Sequence, residues 1–293
     1  MKLLIKFNLV FVLVFLLGLA ATGAITRELL LRNAKEEVLQ HARLMMEQSL
    51  AVRSYTSTQV APLLETQMKY SFLPQTVPAF SATEVLAKVQ KNHPEYGYKE
   101  ATLNPTNPRD RAVEWEADVI GEFRNSPDMK EFVGQRNTPL GAALFVARPL
   151  RITNPDCLRC HSTPDAAPRT LVDKYGPANG FGWQLNEVIG SQIVSVPMAV
   201  PLQRAEQAWQ LFMALLTAVF VTIALVLNGM LWWLVIRPVT RLSSLADRVS
   251  LGELRAPAFA AASRDEIGVL AQSFSRMRKS LVQAMKMLET ATP

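Results

Sequence analysis

The chain has 293 residues, 49% of them hydrophobic and 19% charged, with a formal charge of +6. That excess lies only on the flanks of two long apolar runs. Lys2 and Lys6 give the leading tail +2, nine Lys/Arg against five acids after Ile236 give +4, and the stretch between is neutral. Such a balance is a membrane-topology signal, so lipid is expected as a partner and nucleic acid is excluded.

Residues 1–6 form a short tail, and residues 7–25 are apolar throughout. At about 1.5 Å per residue that run crosses a hydrocarbon layer of roughly 30 Å. Thr22-Gly23-Ala24 is also small enough for a leader protease, so a cleaved signal peptide competes with a retained anchor. The anchor is the reading adopted, because an unbroken helical pattern follows. It predicts a long helix over residues 26–64, with apolar positions such as Leu30, Val38, Leu44, Ala51 and Val52, and with Pro62, Pro74 and Pro78 closing the helical region. A second helix is predicted over residues 82–91. His93-Pro94 and Asn104-Pro105-Thr106-Asn107-Pro108 punctuate the middle, and residues 113–119 fit a strand or a helical turn equally. Residues 26–208 suffice for one domain with its own core.

Residues 142–152 and 191–200 are predicted strands, antiparallel neighbours around one loop, with Pro149 suggesting an edge position. That loop holds Cys157-Leu158-Arg159-Cys160-His161 and with it both cysteines of the chain. Cys-x-x-Cys-His is the attachment pattern of a c-type haem. Two thiols three positions apart form thioethers to the vinyl groups of one porphyrin, and the adjacent His161 offers the iron a neutral imidazole. The expected cofactor is therefore haem c, tethered by Cys157 and Cys160 and ligated by His161. A dithiol redox pair and half of a zinc site are the competing readings. Against them, His41 and His93 are remote, and Pro155, Pro164 and Pro168 surround the motif where a redox pair needs a strand-to-helix turn.

The sixth iron position stays open. His41 and His93 offer imidazole, Met45, Met46, Met68 and Met198 a thioether, and Tyr55 can face a vacant position; with no third cysteine a thiolate is excluded. Met45 and Met46 also read as helix core, and His93 as loop surface. Arg53, Arg148, Arg151 and Arg159 suit haem propionates, because guanidinium matches carboxylate geometry, or are simply solvated charges. Trp183 reads as a core residue within reach of a porphyrin.

Residues 209–236 form the second apolar run, with Trp209 at one end and Trp232-Trp233 at the other. Asn228 and Gly229 interrupt it and can face a neighbouring helix. Positive flanks place both termini in the cytoplasm. Covalent haem attachment takes place outside the bacterial cytoplasmic membrane, so the domain at 26–208 is expected in the periplasm of a two-pass inner-membrane protein.

Residues 237–289 carry two helical seams. Val239, Leu242, Ala246 and Val249 form the first. After a connector with Gly252, Leu254 and Pro257, Asp265-Glu266-Ile267-Gly268 opens the second, through Ile267, Leu270, Phe274, Met277, Leu281, Ala284 and Leu288. Two such seams bury their faces only when two copies associate, which predicts a homodimer. With Pro238 just past the apolar run and the Asp-Glu-x-Gly opening, this segment resembles a HAMP relay. The resemblance implies dimerisation and conversion of a membrane-helix shift into a change of bundle packing. Residues 290–293 leave no room for a kinase or cyclase domain, so a separate cytoplasmic effector is expected.

The central domain also resembles a family of periplasmic c-type haem sensor domains with a PAS-like α/β fold, commonly found ahead of a HAMP segment. The residues that carry the likeness are Arg53-Ser54-Tyr55-Thr56, Tyr98-Lys99-Glu100-Ala101-Thr102-Leu103 with the Asn104-to-Pro108 loop, the Cys157-to-His161 motif, and Gly180-Phe181-Gly182-Trp183. The resemblance implies an α/β (α+β) class, a mixed sheet with helices outside it, a sensory role, and a first helix reaching the far side of the iron. The expected function is a receptor for redox state or a diatomic gas. A membrane-anchored electron-transfer cytochrome is the alternative. No distal acid–base pair can be picked out, so no enzymatic activity is expected.

Overall fold

The computed structural model describes residues 3–253 and 265–291. They fall into two units, Ile25–Trp209 and the pair of segments Met1–Ala24 and Gln210–Pro293.

Four strands form the sheet of the first unit: β1 (Gly97–Thr102), β2 (Phe132–Thr138), β3 (Gly141–Arg151) and β4 (Val188–Pro197), in the order β1-β4-β3-β2. Every ladder is antiparallel, so the sheet is not the mixed one that was expected. The two predicted strands are β3 and β4, and they are neighbours. Pro149, however, lies in an interior strand. It is tolerated because the β2 ladder ends at the pair Phe132–Ala147, which leaves that side of β3 open where proline lacks its N–H.

The central strand β4 is covered on both faces and buried almost throughout. Val194 and Val196 join Leu144 and Val146 against Val38, Ala42 and Met46 of α1 (Leu3–Tyr55). Ile193, with Phe145 and Ala147, packs on the other side against Val119, Ile120 and Phe123. The period of two along β4 thus makes two cores. On α1 the buried line is Ala34, Val38, Ala42 and Met46, one helical turn apart, while Leu44 is exposed. The small alanines let the helix lie close to the sheet.

Helix α1 continues through a π turn, Thr56–Val60. Pro78 opens α2 (Pro78–Asn92) rather than ending a helix, since the first helical position needs no N–H donor. The ambiguous segment is helical, α3 (Glu114–Asn125). The Glu116 carboxylate accepts from the Val113 N–H at 2.9 Å, and Glu116, Val119, Ile120 and Phe123 share a buried face. Helix α4 (Arg169–Tyr175) lies in the loop between β3 and β4, and α5 (Ala199–Met230) follows β4 after one residue.

In the second unit a π turn, Leu231–Ile236, leads into α6 (Arg237–Ser250), and α7 (Glu266–Ala291) follows the connector. Two helical stretches, Leu4–Leu63 and Ala199–Ser250, are long and apolar enough to cross a membrane. Asn8 and Asn228 exchange two amide hydrogen bonds, at 2.7 and 2.8 Å. The polar interruption in the second run therefore does face a neighbouring helix. Helix α6 closes with bonds from Glu253 N–H to Arg248 O and from Gly252 N–H to Val249 O, and Gly252 takes the left-handed φ of +92° that this ending requires. The carboxylate of Asp265 caps α7 by accepting from the Gly268 N–H at 3.0 Å, which is the physical content of the Asp-Glu-x-Gly pattern. Leu242 and Ala271 are buried between Leu245, Ile267 and Phe274, whereas Leu270, Met277 and Leu281 are exposed. Leu254 and Pro257 of the expected connector lie outside the described residues.

Candidate functional site

The loop from β3 to β4 builds the site. The Asn154 side chain accepts from the Asp156 N–H at 2.9 Å, and a short 3-10 turn, Pro155–Cys157, passes into one helical turn, Leu158–His161. Positions i, i+3 and i+4 share a helix face, so Cys157, Cys160 and His161 are brought together as their spacing demands. Both thiols are half-buried and unbridged. Burial pushes each above the usual thiol range, opposed by Arg53 at Cys157 and by Arg159 at Cys160.

Burial also lowers the His161 pKa, against the raising effect of its bond to Gly180, so the ring is neutral near pH 7. Nδ1–H donates to the Gly180 carbonyl at 2.6 Å, and because that oxygen can only accept, the tautomer follows. Nε2 keeps its lone pair, the form in which imidazole binds a metal. The Trp183 ring lies flat against the imidazole, with centroids 3.8 Å apart and planes 13° apart.

The partner loop is held from several sides. Gly180 has a φ of +83°, and Thr106 stands where a Cβ would project. Asn104 accepts from the Gly180 N–H at 3.3 Å and donates to the Phe181 carbonyl at 3.4 Å. Trp183 N–H donates to the His161 carbonyl and Gly182 N–H to that of Ser162. Three of the sequence stretches that carried the family likeness thus meet around one imidazole.

A cleft of about 1060 Å³ opens over the motif, ample beside the roughly 300–1,000 Å³ of small-molecule sites. Phe72, Ala167 and Leu171 form an apolar wall with Met68, Tyr175 and Cys160 against it. Arg53 contributes from the first helix, Ser57 from its π turn and Ala61 from the helical turn that follows. Glu100 is nearly buried and takes both the Arg53 guanidinium and the Tyr98 hydroxyl, the latter at 2.6 Å. Burial and the neighbouring Glu100 hold the Tyr98 pKa far above the phenol range, so it remains a donor. Asp110 also lines the cleft. Burial raises its carboxyl to about 6, with Arg109 and Lys99 opposing and Glu100 adding to the rise.

Of the side chains offered as sixth ligand, Met68 lines this cleft; its sulfur accepts from the Leu73 N–H at 3.2 Å and the Thr76 hydroxyl at 3.4 Å. Met46 and Met198 are buried between α1 and the sheet, with Met45 packed beside them. His41 and Tyr55 are exposed, and His93 is exposed beside Glu95. Arg53, Arg151 and Arg159 line the cleft, whereas Arg148 is paired elsewhere with Glu47 and Glu131. The donor set suits an iron porphyrin: two thiols and a neutral imidazole on one face, an apolar wall, and cations at the margin. Sequence reasoning missed the roles of Gly180, Asn104, Glu100 and Asp110. The Gly-Phe-Gly-Trp and Asn-Pro-Thr-Asn-Pro stretches were visible, but nothing local says that they touch.

Fold and site define an α+β domain with a Cys-Cys-His cleft, followed by two amphipathic helices. The comparisons with known proteins agree, with residues 31–197 matching the Tll0287-like family and residues 230–283 the HAMP domain. The chain belongs to the Tll0287-like family, whose match covers more than half of it. The crystal structure of the cyanobacterial heme-protein Tll0287 is similar at 18% identity, over 55% of this chain and 95% of that one, with a TM-score of 0.43. No curated protein matches. A Tll0287-like domain, two helices able to cross a membrane and a HAMP domain together fit a signal-transducing membrane receptor.

Proposed function

We propose that the chain is a bacterial inner-membrane receptor, and not an enzyme, that spans the membrane at residues 7–25 and 209–236 with both termini in the cytoplasm. Its periplasmic domain carries haem c on Cys157 and Cys160, with His161 as the axial ligand. One observation carries this reading: His161 is held at Nδ1 by the Gly180 carbonyl, which leaves Nε2 for a metal, and it shares a helix face with both thiols. Family membership supports haem binding, Tll0287 itself being a heme-protein. When bound, the group would supply a redox-active iron and a coordination position for a diatomic gas.

The chain's own part is to convert a change at His161 into movement. The His161 loop is flanked by β3 and β4, and β4 passes through Met198 directly into α5. Leu270, Met277 and Leu281, exposed on α7, offer the seam for a second copy in the HAMP segment at 237–289. A stimulus must favour one bundle packing over the other, and full reversal of a 1:99 balance requires about 5.5 kcal/mol. The output passes to a separate cytoplasmic effector.

The test uses full-length protein co-expressed with c-type maturation machinery. The wild type should give a pyridine haemochrome spectrum, and a C157S/C160S variant none. Cross-linking of L281C between copies with a redox-neutral bismaleimide should differ between oxidised and reduced, or CO-free and CO-treated reduced, protein, and H161A should abolish that difference. A wild type without haemochrome rejects the cofactor; an unchanged response in H161A rejects the haem as trigger.

A further inference from the structure

We propose that Asn104 is the positioning residue that sets how strongly His161 donates to a haem iron, an inference that rests on the haem reading above. The carbonyl that holds His161 belongs to the peptide unit joining Gly180 to Phe181. Asn104 grips the units on either side of it. Its amide oxygen accepts from the Gly180 N–H at 3.3 Å, and its amide nitrogen donates to the Phe181 carbonyl at 3.4 Å. The partners fix the orientation of the amide, since one can only donate and the other only accept. No carboxylate or hydroxyl of that size presents a donor and an acceptor on separate atoms, which is why an amide belongs here.

The loop has little freedom of its own to compensate. Gly180 is held at φ +83°, and Thr106 fills the space at its Cα, its hydroxyl buried and without a hydrogen-bond partner. Gly182 N–H on the Ser162 carbonyl and Trp183 N–H on the His161 carbonyl hold the loop beyond this point. The two Asn104 contacts are the side-chain bonds that flank the Gly180 carbonyl and set the angle of its 2.6 Å bond from His161. A strong Nδ1–H···O=C bond gives the imidazole more anionic character and makes Nε2 the better donor, which favours ferric iron. Asn104 itself follows β1, and β1 pairs along its length with β4. The orientation of the iron's ligand is thus tied to the strand that leads towards the membrane.

The experiment compares full-length wild type with N104A, N104S and T106V, all matured with haem. It reads the midpoint potential and the g-values of the ferric EPR signal, which report imidazole orientation. N104A should raise the potential and shift the g-values, and N104S should do the same to a smaller extent. T106V keeps the packing on Gly180 and should match wild type. Unmoved potential and g-values in N104A, even with a lowered melting temperature, would overturn the proposal. If N104A does not mature, N104S decides on the same two readouts. Failure of both to take up haem while T106V does so would also overturn it, because that outcome makes Asn104 a folding residue. A wild type lacking haem fails earlier, on the cofactor itself, and takes this inference with it.

Discussion

The two units place their side chains in opposite ways. In Ile25–Trp209 three clusters of apolar residues are buried, although side chains such as Leu44, Leu63 and Tyr70 stay exposed, and polar groups such as Glu100, Glu116 and Gln192 are drawn inside with partners. In the other unit Leu242, Val249 and Ala271 are buried, but side chains such as Leu16, Leu17, Leu225, Trp233 and Met277 stand more than half exposed. The difference teaches what each unit needs. The sensor unit has a packed core within one chain. The exposed apolar side chains of the helical unit fit the lipid contact and the second copy proposed above.

The sharpest way to break that comparison is to disturb a polar group inside the closed unit. Glu100 has a side chain 5% exposed, and Arg53, 27% exposed, is its cation. R53M strands a buried carboxylate and should destabilise the full-length protein by about 3 kcal/mol, the low end for a broken buried pair because Arg53 is partly wet. R53M/E100Q should recover most of that loss, since the uncompensated charge is gone. Urea unfolding followed by tryptophan fluorescence measures both. A double variant as unstable as R53M would mean that packing, and not charge, is what Arg53 supplies.

This pair also shows why part of the fold was hidden in the sequence. Strands β3 and β4 were legible because apolar runs bounded by turn residues are local signals. Strand β1 was not, because a buried Glu100 makes sense only with Arg53, which is 47 residues away. Strand β2, Phe132–Thr138, carries few β-formers and one alternating face, and gave no signal. The site divides in the same manner. Cys157, Cys160 and His161 were legible because the c-type haem motif they match has a fixed local spacing. The Gly180 carbonyl was invisible, since every residue has one, and its Asn104 clamp joins positions 76 apart. Pro149 misled for a related reason: its open side exists because another strand stops short.

A subtler disturbance uses pH. Asp110 lines the cleft with its carboxyl raised from 3.8 to about 6, chiefly by burial. The folded state therefore holds that proton more tightly than the unfolded state. The stability it lends is fully present below about pH 4 and is lost as pH rises through about 6. D110N should remove this loss, leaving the protein more stable than wild type at pH 7 by roughly 1 kcal/mol, since solvent screening of a partly exposed carboxyl reduces the full effect. It should also flatten the dependence of unfolding free energy on pH between about 4 and 6. Parallel pH profiles for D110N and wild type would show that the closed unit hydrates Asp110 as freely as a surface carboxylate.

The smallest effect tests the other side of the comparison, where the Asn8–Asn228 amide pair is a polar contact between the apolar helices among the described residues. In hydrocarbon an unmade amide bond has no water to fall back on, yet interhelical polar contacts average only about 0.6 kcal/mol in double-mutant cycles, with about 1.7 as a ceiling. N8L alone leaves the Asn228 amide facing an apolar helix, and N228L does the reverse. The double variant replaces both by packing. The cycle should therefore return a favourable coupling of about 0.6 kcal/mol, read from unfolding of the full-length protein in mixed micelles. Zero coupling would mean that the two helices are aligned by shape alone, through contacts such as Phe15 edge-on to Phe220 at 4.1 Å. A coupling well above the ceiling would instead bring the helical unit closer to the sensor unit, with its register set by a polar contact from within the chain.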